Sequence, residues 1–155
     1  MHDTRDIDQV AGALTDLMSF LSSPRRDDLL LREAGVQLDR ALFPLLVRLD
    51  ARGPLSVSGL ADQVGRDHTT ISRQLAKLES LGLVGRPEGE GDRRVRTAGL
   101  TVAGEQVARA ITAARRRLLG SALAAWSPAD LARLATLNRR FVDTLAEAAA
   151  AASGR

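Results

Sequence analysis

The residues best suited to chemistry in this 155-residue chain lie between His68 and Arg96. His68, Thr69, Thr70, Ser72, Arg73 and Lys77 follow Asp67, whose carboxylate suits a helix N-cap. Short hydroxyls near a helix N-terminus allow close approach and can bond to phosphates or base edges. An arginine there can read guanine through two parallel bonds. Lys77, the only lysine in the chain, stands one turn beyond Arg73 and suits a phosphate. Arg86, Arg93, Arg94 and Arg96 then crowd both sides of a glycine-bearing tip, Glu88-Gly89-Glu90-Gly91-Asp92. An arginine extended from such a tip fits the narrow, negative minor groove of DNA. Asp92 fits as a carboxylate that holds an arginine in place, whereas Glu88 and Glu90 count against a simple basic patch. The same residues also describe two plainer objects: a solvated amphipathic helix capped by Asp67, and a solvated hairpin with internal ion pairs.

These side chains need elements to hold them, and the apolar spacing supplies candidates. Ile7, Val10, Leu14, Met18 and Leu21 predict a helix from Ile7 to Leu21, stopped by Ser22-Ser23-Pro24. A short helix over 27–34 ends at Gly35. Leu38, Leu42, Leu45, Leu46 and Leu49 predict another from about Asp39 to Ala51, in which Pro44 is a conflict that should kink or divide it. After Gly53-Pro54, Leu55 can begin a short strand, and Ser56 caps a helix carrying Leu60, Ala61 and Val64 that closes at Gly65. The helix capped by Asp67 buries Ile71, Leu75 and Leu78 and ends at Gly82, which makes the pair a helix-turn-helix. Residues 83–87 and 94–100 alternate as two strands. Thr101 caps a long helix with Val107, Ile111, Leu118 and Leu119, bent if anywhere at Gly120. Ser127-Pro128-Ala129-Asp130 opens a last helix with Leu131, Leu134, Phe141 and Leu145, which decays into an alanine tail.

The run from Leu55 to Glu105 resembles the winged helix-turn-helix of MarR-type transcriptional regulators. The matching pieces are SVSGLADQVG, DHTTISRQLAKLESLGLV, and the wing GDRRVR followed by GLTVAGE. Asp92 and Arg94 match the family's Asp-x-Arg wing motif, which implies that the arginine enters the minor groove and the aspartate orients the wing. Gly59 departs from the pattern, standing where a capping-box acid is common, and Gly91 loosens the tip. The resemblance implies a mainly α fold with a small two- or three-stranded antiparallel β-wing. It assigns 1–38 to N-terminal dimerisation helices and 39–104 to the DNA-binding domain, with the helix-turn-helix at 56–82 and the wing at 83–100. Residues 105–152 become C-terminal dimerisation helices and 153–155 a disordered tail. It further implies a homodimer on double-stranded DNA at a pseudo-palindromic site, with half-sites about one helical turn apart. Members of the family often bind small aromatic or phenolic anions, for which Arg40 and Phe43 are candidates; surface charge and core aromatic are the plainer readings of that pair.

Composition narrows the rest. The formal net charge of +3 argues only weakly for nucleic acid, so the placement of the cations matters more than their sum. With no cysteine, disulfides and thiol redox sensing are excluded, and cytoplasmic residence is expected. No apolar run approaches the roughly 18 residues of a membrane span. His2 and His68 without cysteine make no metal site, and no cofactor is implied. There is no glycine-rich phosphate loop, no Gly-x-Ser-x-Gly and no serine–histidine–acid set, so an enzyme lacks its constellation. Arg115-Arg116-Arg117 reads as an exposed helix side or a supplementary DNA contact, and Trp126 as a packing anchor or a ligand-stacking ring. A repressor released by a small ligand and a winged-helix dimer that works through protein partners both remain open.

Overall fold

The computed structural model describes residues 3–86 and 97–154. Helix α1 (Thr4–Leu21) is capped by Asp3, whose carboxylate accepts the Arg5 N–H, and α2 (Pro24–Ala34) begins on a proline and ends at Gly35. Helix α3 (Phe43–Arg52) starts later than the apolar spacing predicts. Residues 39–42 form a turn instead, in which Asp39 accepts the Ala41 N–H through its side chain and the Leu42 N–H through its carbonyl. Pro44 decides this boundary. Lacking an N–H and clashing with the preceding turn, it is excluded from a helix interior but accepted in the first turn, where that hydrogen has no partner anyway.

Strand β1 (Leu55–Ser56) leads into α4 (Val57–Val64), and α5 (His68–Ser80) follows after a short turn. Ser56 Oγ accepts the Gly59 N–H at 3.0 Å, so α4 keeps its cap without the acid that Gly59 replaces. Strand β2 (Val84–Gly85) and β3 (Thr97–Leu100) are the described parts of the predicted ribbon. Strands β2 and β1 each pair with β3 antiparallel, Val84 opposite Leu100 and Leu55 opposite Ala98, to give a small sheet of order β1-β3-β2. Helix α6 (Val102–Ala122) runs through Gly120 without a break, and α7 (Pro128–Ser153) starts on the Ser127 cap. The fold is therefore mainly α with a small antiparallel sheet.

The chain divides into two compact units, one up to Arg116 and one from Arg117. The core of the first joins Leu42, Leu45, Leu46 and Leu49 to Leu60 and Ala61 on α4, Ile71, Leu75 and Leu78 on α5, and Val84 and Ala98 on the sheet. Leu45, Leu46, Leu60, Ile71 and Leu78 are fully buried. Each such side chain contributes about 1.5–3 kcal/mol relative to exposure, so this cluster fixes how α3, α4 and α5 lie against one another. The termini differ. Neither α1 nor α7 buries a single residue, although Ile7, Val10, Leu17, Met18 and Leu21 are exposed on one and Leu131, Leu134, Leu137 and Leu145 on the other.

Candidate nucleic-acid interface

Helix α5 separates its faces cleanly. With Ile71, Leu75 and Leu78 buried, Thr69, Ser72, Arg73, Ala76 and Lys77 are all exposed. At 1.5 Å per residue, Thr69 to Lys77 spans about 12 Å of helix, close to the width of a major groove of about 12 Å. Ala76 lies within this face and adds no bulk that would hold the helix away. His68 is exposed at the first helical residue.

Thr70 behaves differently from its neighbours. Asp67 Oδ1 accepts its backbone N–H at 2.8 Å and Asp67 Oδ2 accepts its hydroxyl at 2.6 Å. The hydroxyl proton is thus committed to the cap, and Thr70 is half-buried. The same bonds, the side-chain one first, hold the Asp67 carboxyl below its usual range, with Arg73 a smaller contributor. Asp67 is therefore a carboxylate at neutral pH, complementing the positive end of the helix dipole.

Two further clamps set the helix and the sheet. Arg66, in the turn between α4 and α5, donates through Nη1 to the Ala41 carbonyl at 2.7 Å and to Gln74 Oε1 at 2.8 Å. Nothing in the periodicity singles out Arg66 or Gln74; the only signal was an arginine between a helix-ending glycine and a capping acid. The second clamp is Thr101, whose hydroxyl donates to the Gly82 carbonyl at 2.6 Å and accepts the Gly104 N–H at 3.1 Å. The Thr101 N–H donates to the Leu83 carbonyl at 3.1 Å. A Cβ on residue 104 would run into that carbonyl oxygen, so only glycine lets α6 approach the chain entering β2 this closely.

Arg86 is exposed at the end of β2 and shares a groove of about 510 Å³ with Ser58, His68, Ser72, Ala76 and Thr97. The structure therefore brings the wing-base arginine beside the outer face of α5. Asp92, Arg93, Arg94 and Arg96 lie outside the described residues, as do His2, Glu88, Glu90 and Gly91. The ligand candidates part company. Phe43 is buried at the start of α3, while Arg40 is exposed in the preceding turn. Arg40 acts electrostatically on Asp27, whose carboxyl is raised by burial and lowered in part by that arginine. This is the arrangement of a core aromatic and a surface charge. Arg116 and Arg117 are exposed and Arg115 half-buried on α6, and Trp126 is about half exposed beside Ser127, Asp130 and Leu134. Among the described residues no group of three or more metal-ligating side chains comes together, and no helix is long and apolar enough to cross a membrane.

Comparison with known proteins agrees with this geometry. Residues 38–95 match the MarR family model, spanning the helix-turn-helix and most of the wing. An uncharacterized HTH-type transcriptional regulator of Bacillus subtilis, YxaD, is 33% identical over 110 residues, covering 68% of this chain and 77% of its own. The chain belongs to the MarR family of transcriptional regulators. Among solved structures, a MarR family protein from Bacillus stearothermophilus superposes with a TM-score of 0.78 at 20% identity, covering 94% of this chain and 99% of that one. MepR, a transcription regulator of the Staphylococcus aureus multidrug efflux pump MepA, gives 0.63 at 19% identity, with 86% and 97% covered. Members of this family are regulators rather than enzymes. At these identities the structural matches speak for the fold, and that fold is the winged helix-turn-helix.

Proposed function

We propose that this MarR-family chain is a homodimeric, sequence-specific repressor that acts in the cytoplasm and leaves its operator when a small molecule binds. The observation that carries the DNA-binding part is the divided face of α5, apolar side chains buried and Thr69, Ser72, Arg73 and Lys77 outward. In this reading those residues and His68 enter the major groove. Arg86 with Arg93, Arg94 and Arg96 contacts the minor groove and its phosphates, and Asp92 positions the wing. Thr70 serves mainly to complete the cap. The uncovered apolar stripes of α1 and α7 support the dimer, since surfaces of that kind seek a partner. In the domain reading, residues 1–38 and 105–152 dimerise while 39–104 binds DNA. Repression and ligand release rest on family likeness, and the burial of Phe43 with Arg40 exposed lends the ligand part no support.

The test is a fluorescence titration against duplexes from around the chain's own gene. Specific binding with a steep salt dependence is the expected result. Arg94→Ala should weaken it by about 1–3 kcal/mol and flatten the salt slope. Unchanged affinity and slope would remove the wing from the mechanism. No specific binding to any genomic site would favour a dimer that works through protein partners.

A further inference from the structure

The double bond made by Arg66 has a consequence for what α5 can read. A guanidinium offers only hydrogens, so the acceptor it meets on Gln74 has to be the amide oxygen. That fixes the orientation of an amide whose two ends are otherwise interchangeable. With its oxygen turned to Arg66, the Gln74 side chain directs its NH₂ the other way, as a donor pair. Arg66 is itself anchored, because a second hydrogen of the same Nη1 goes to the Ala41 carbonyl. Gln74 also lines a cleft of about 430 Å³ together with Asp39, Ala41, Thr70, Arg73 and Lys77. Arg73 and Lys77 are exposed there, and Asp39 is engaged by the Ala41 N–H at 2.8 Å. The cleft sits at the margin of the face assigned to DNA.

We infer that Gln74 is a further DNA-contacting residue, held by Arg66 with its NH₂ as the end that donates, and that it takes an acceptor atom of the duplex. The inference rests on the DNA-binding reading above. It disfavours the two-bond adenine contact open to a free glutamine, because that contact needs the amide oxygen that is already turned to Arg66 and accepting from it. The favoured partner is a phosphate oxygen or a base-edge acceptor such as guanine O6 or N7. Arg66 touches no DNA in this scheme. It is a positioning residue that acts through Gln74.

The experiment begins with selection of duplexes from a random-sequence library by the wild-type protein. Gln74→Met, similar in length but without donors, should bind the selected site about tenfold more weakly, the loss expected for one hydrogen bond to a charged or strongly polar group. Arg66→Met should also weaken binding, and by less in the Gln74→Met background than alone. Gln74→Glu keeps the link to Arg66 as an ion pair while removing both donors, so it should lose at least as much affinity without loss of fold. Thermal melts of each variant separate folding from binding. Repeating the selection with Gln74→Met distinguishes the two acceptors: relaxed preference at one position indicates a base edge, and an unchanged site bound more weakly indicates phosphate. Wild-type affinity in both Gln74 variants, or Arg66 and Gln74 losses that multiply, would overturn the assignment. Failure of the wild-type protein to enrich any sequence would overturn the DNA-binding reading itself, and this inference with it.

Discussion

The same substitution at two glycines of α6 should move stability in opposite directions. At Gly104 an added Cβ meets the Leu83 carbonyl oxygen, comes within 3.0 Å of its carbonyl carbon and 3.3 Å of Leu100 Cδ2. The obstacle is backbone, which cannot rotate aside as a side chain would. Relief requires α6 to move away from the chain entering β2, and the carbonyl in the way is the one that accepts the Thr101 N–H. Overpacking of this kind costs about 1–3 kcal/mol, and the strained hydrogen bond adds about 1 kcal/mol. Alanine's better helix propensity returns about 1 kcal/mol. Gly104→Ala should therefore destabilise the protein by about 1–3 kcal/mol, a fall in Tm of about 2–12 °C for a chain of this size. Gly120 is exposed, and a Cβ there meets nothing within 4 Å. Gly120→Ala keeps the propensity gain alone and should raise stability by up to about 1 kcal/mol. Both variants can be followed by thermal and urea melts monitored by circular dichroism. An unchanged or raised Tm for Gly104→Ala would refute the claim that this glycine is required by close backbone approach.

Asp67 yields a pH prediction. Its carboxyl is more acidic folded than unfolded, so its contribution is fully present above its ordinary value of 3.8 and is lost as pH falls through the lower folded-state value. The stability gap between wild type and Asp67→Ala, measured by melts over a pH series, should be constant near neutrality and narrow below 3.8; a gap independent of pH would contradict the hydrogen-bond assignment. Thr101→Val keeps the shape but strips the hydroxyl from the Gly82 carbonyl and the Gly104 N–H, and should cost about 1–2 kcal/mol in a denaturant titration. Leu137, about 60% exposed on α7, becomes a test of the proposed dimer. Leu137→Asp should shift the sedimentation coefficient toward a monomer while leaving helix content intact, and an unaltered sedimentation profile would take that stripe out of the interface.

Most element positions were legible in the sequence because their causes are local. Asp67, Ser56 and Ser127 bond to residues within one turn of themselves, so cap and helix start are written side by side. The spacing of Ile71, Leu75 and Leu78 likewise defines the buried face of α5, and thereby the outward one, before any neighbour is known. Pro44 was legible as a conflict but not as a boundary, because the turn over 39–42 that resolves it depends on the hydrogen bonds of Asp39.

What only the tertiary structure decided are contacts between segments distant along the chain. Arg66 reaches across 25 residues to Ala41 and, by the same nitrogen, turns the Gln74 amide; Thr101 reaches 19 residues back to Gly82. Even within one turn, hydroxyl type alone does not say which group is free: the Thr70 hydroxyl is bonded to Asp67, whereas Thr69 beside it is exposed. Arg40 and Phe43, close in sequence, end as a surface charge and a buried ring, Arg40 in the turn before α3 and Phe43 at the helix start. By itself the sequence determined most of the chain's elements and which face of α5 is polar, since periodicity and capping act over a few residues. The folded chain decided which of those polar groups stay free to bind, because a donor's availability depends on the acceptors that folding brings within reach.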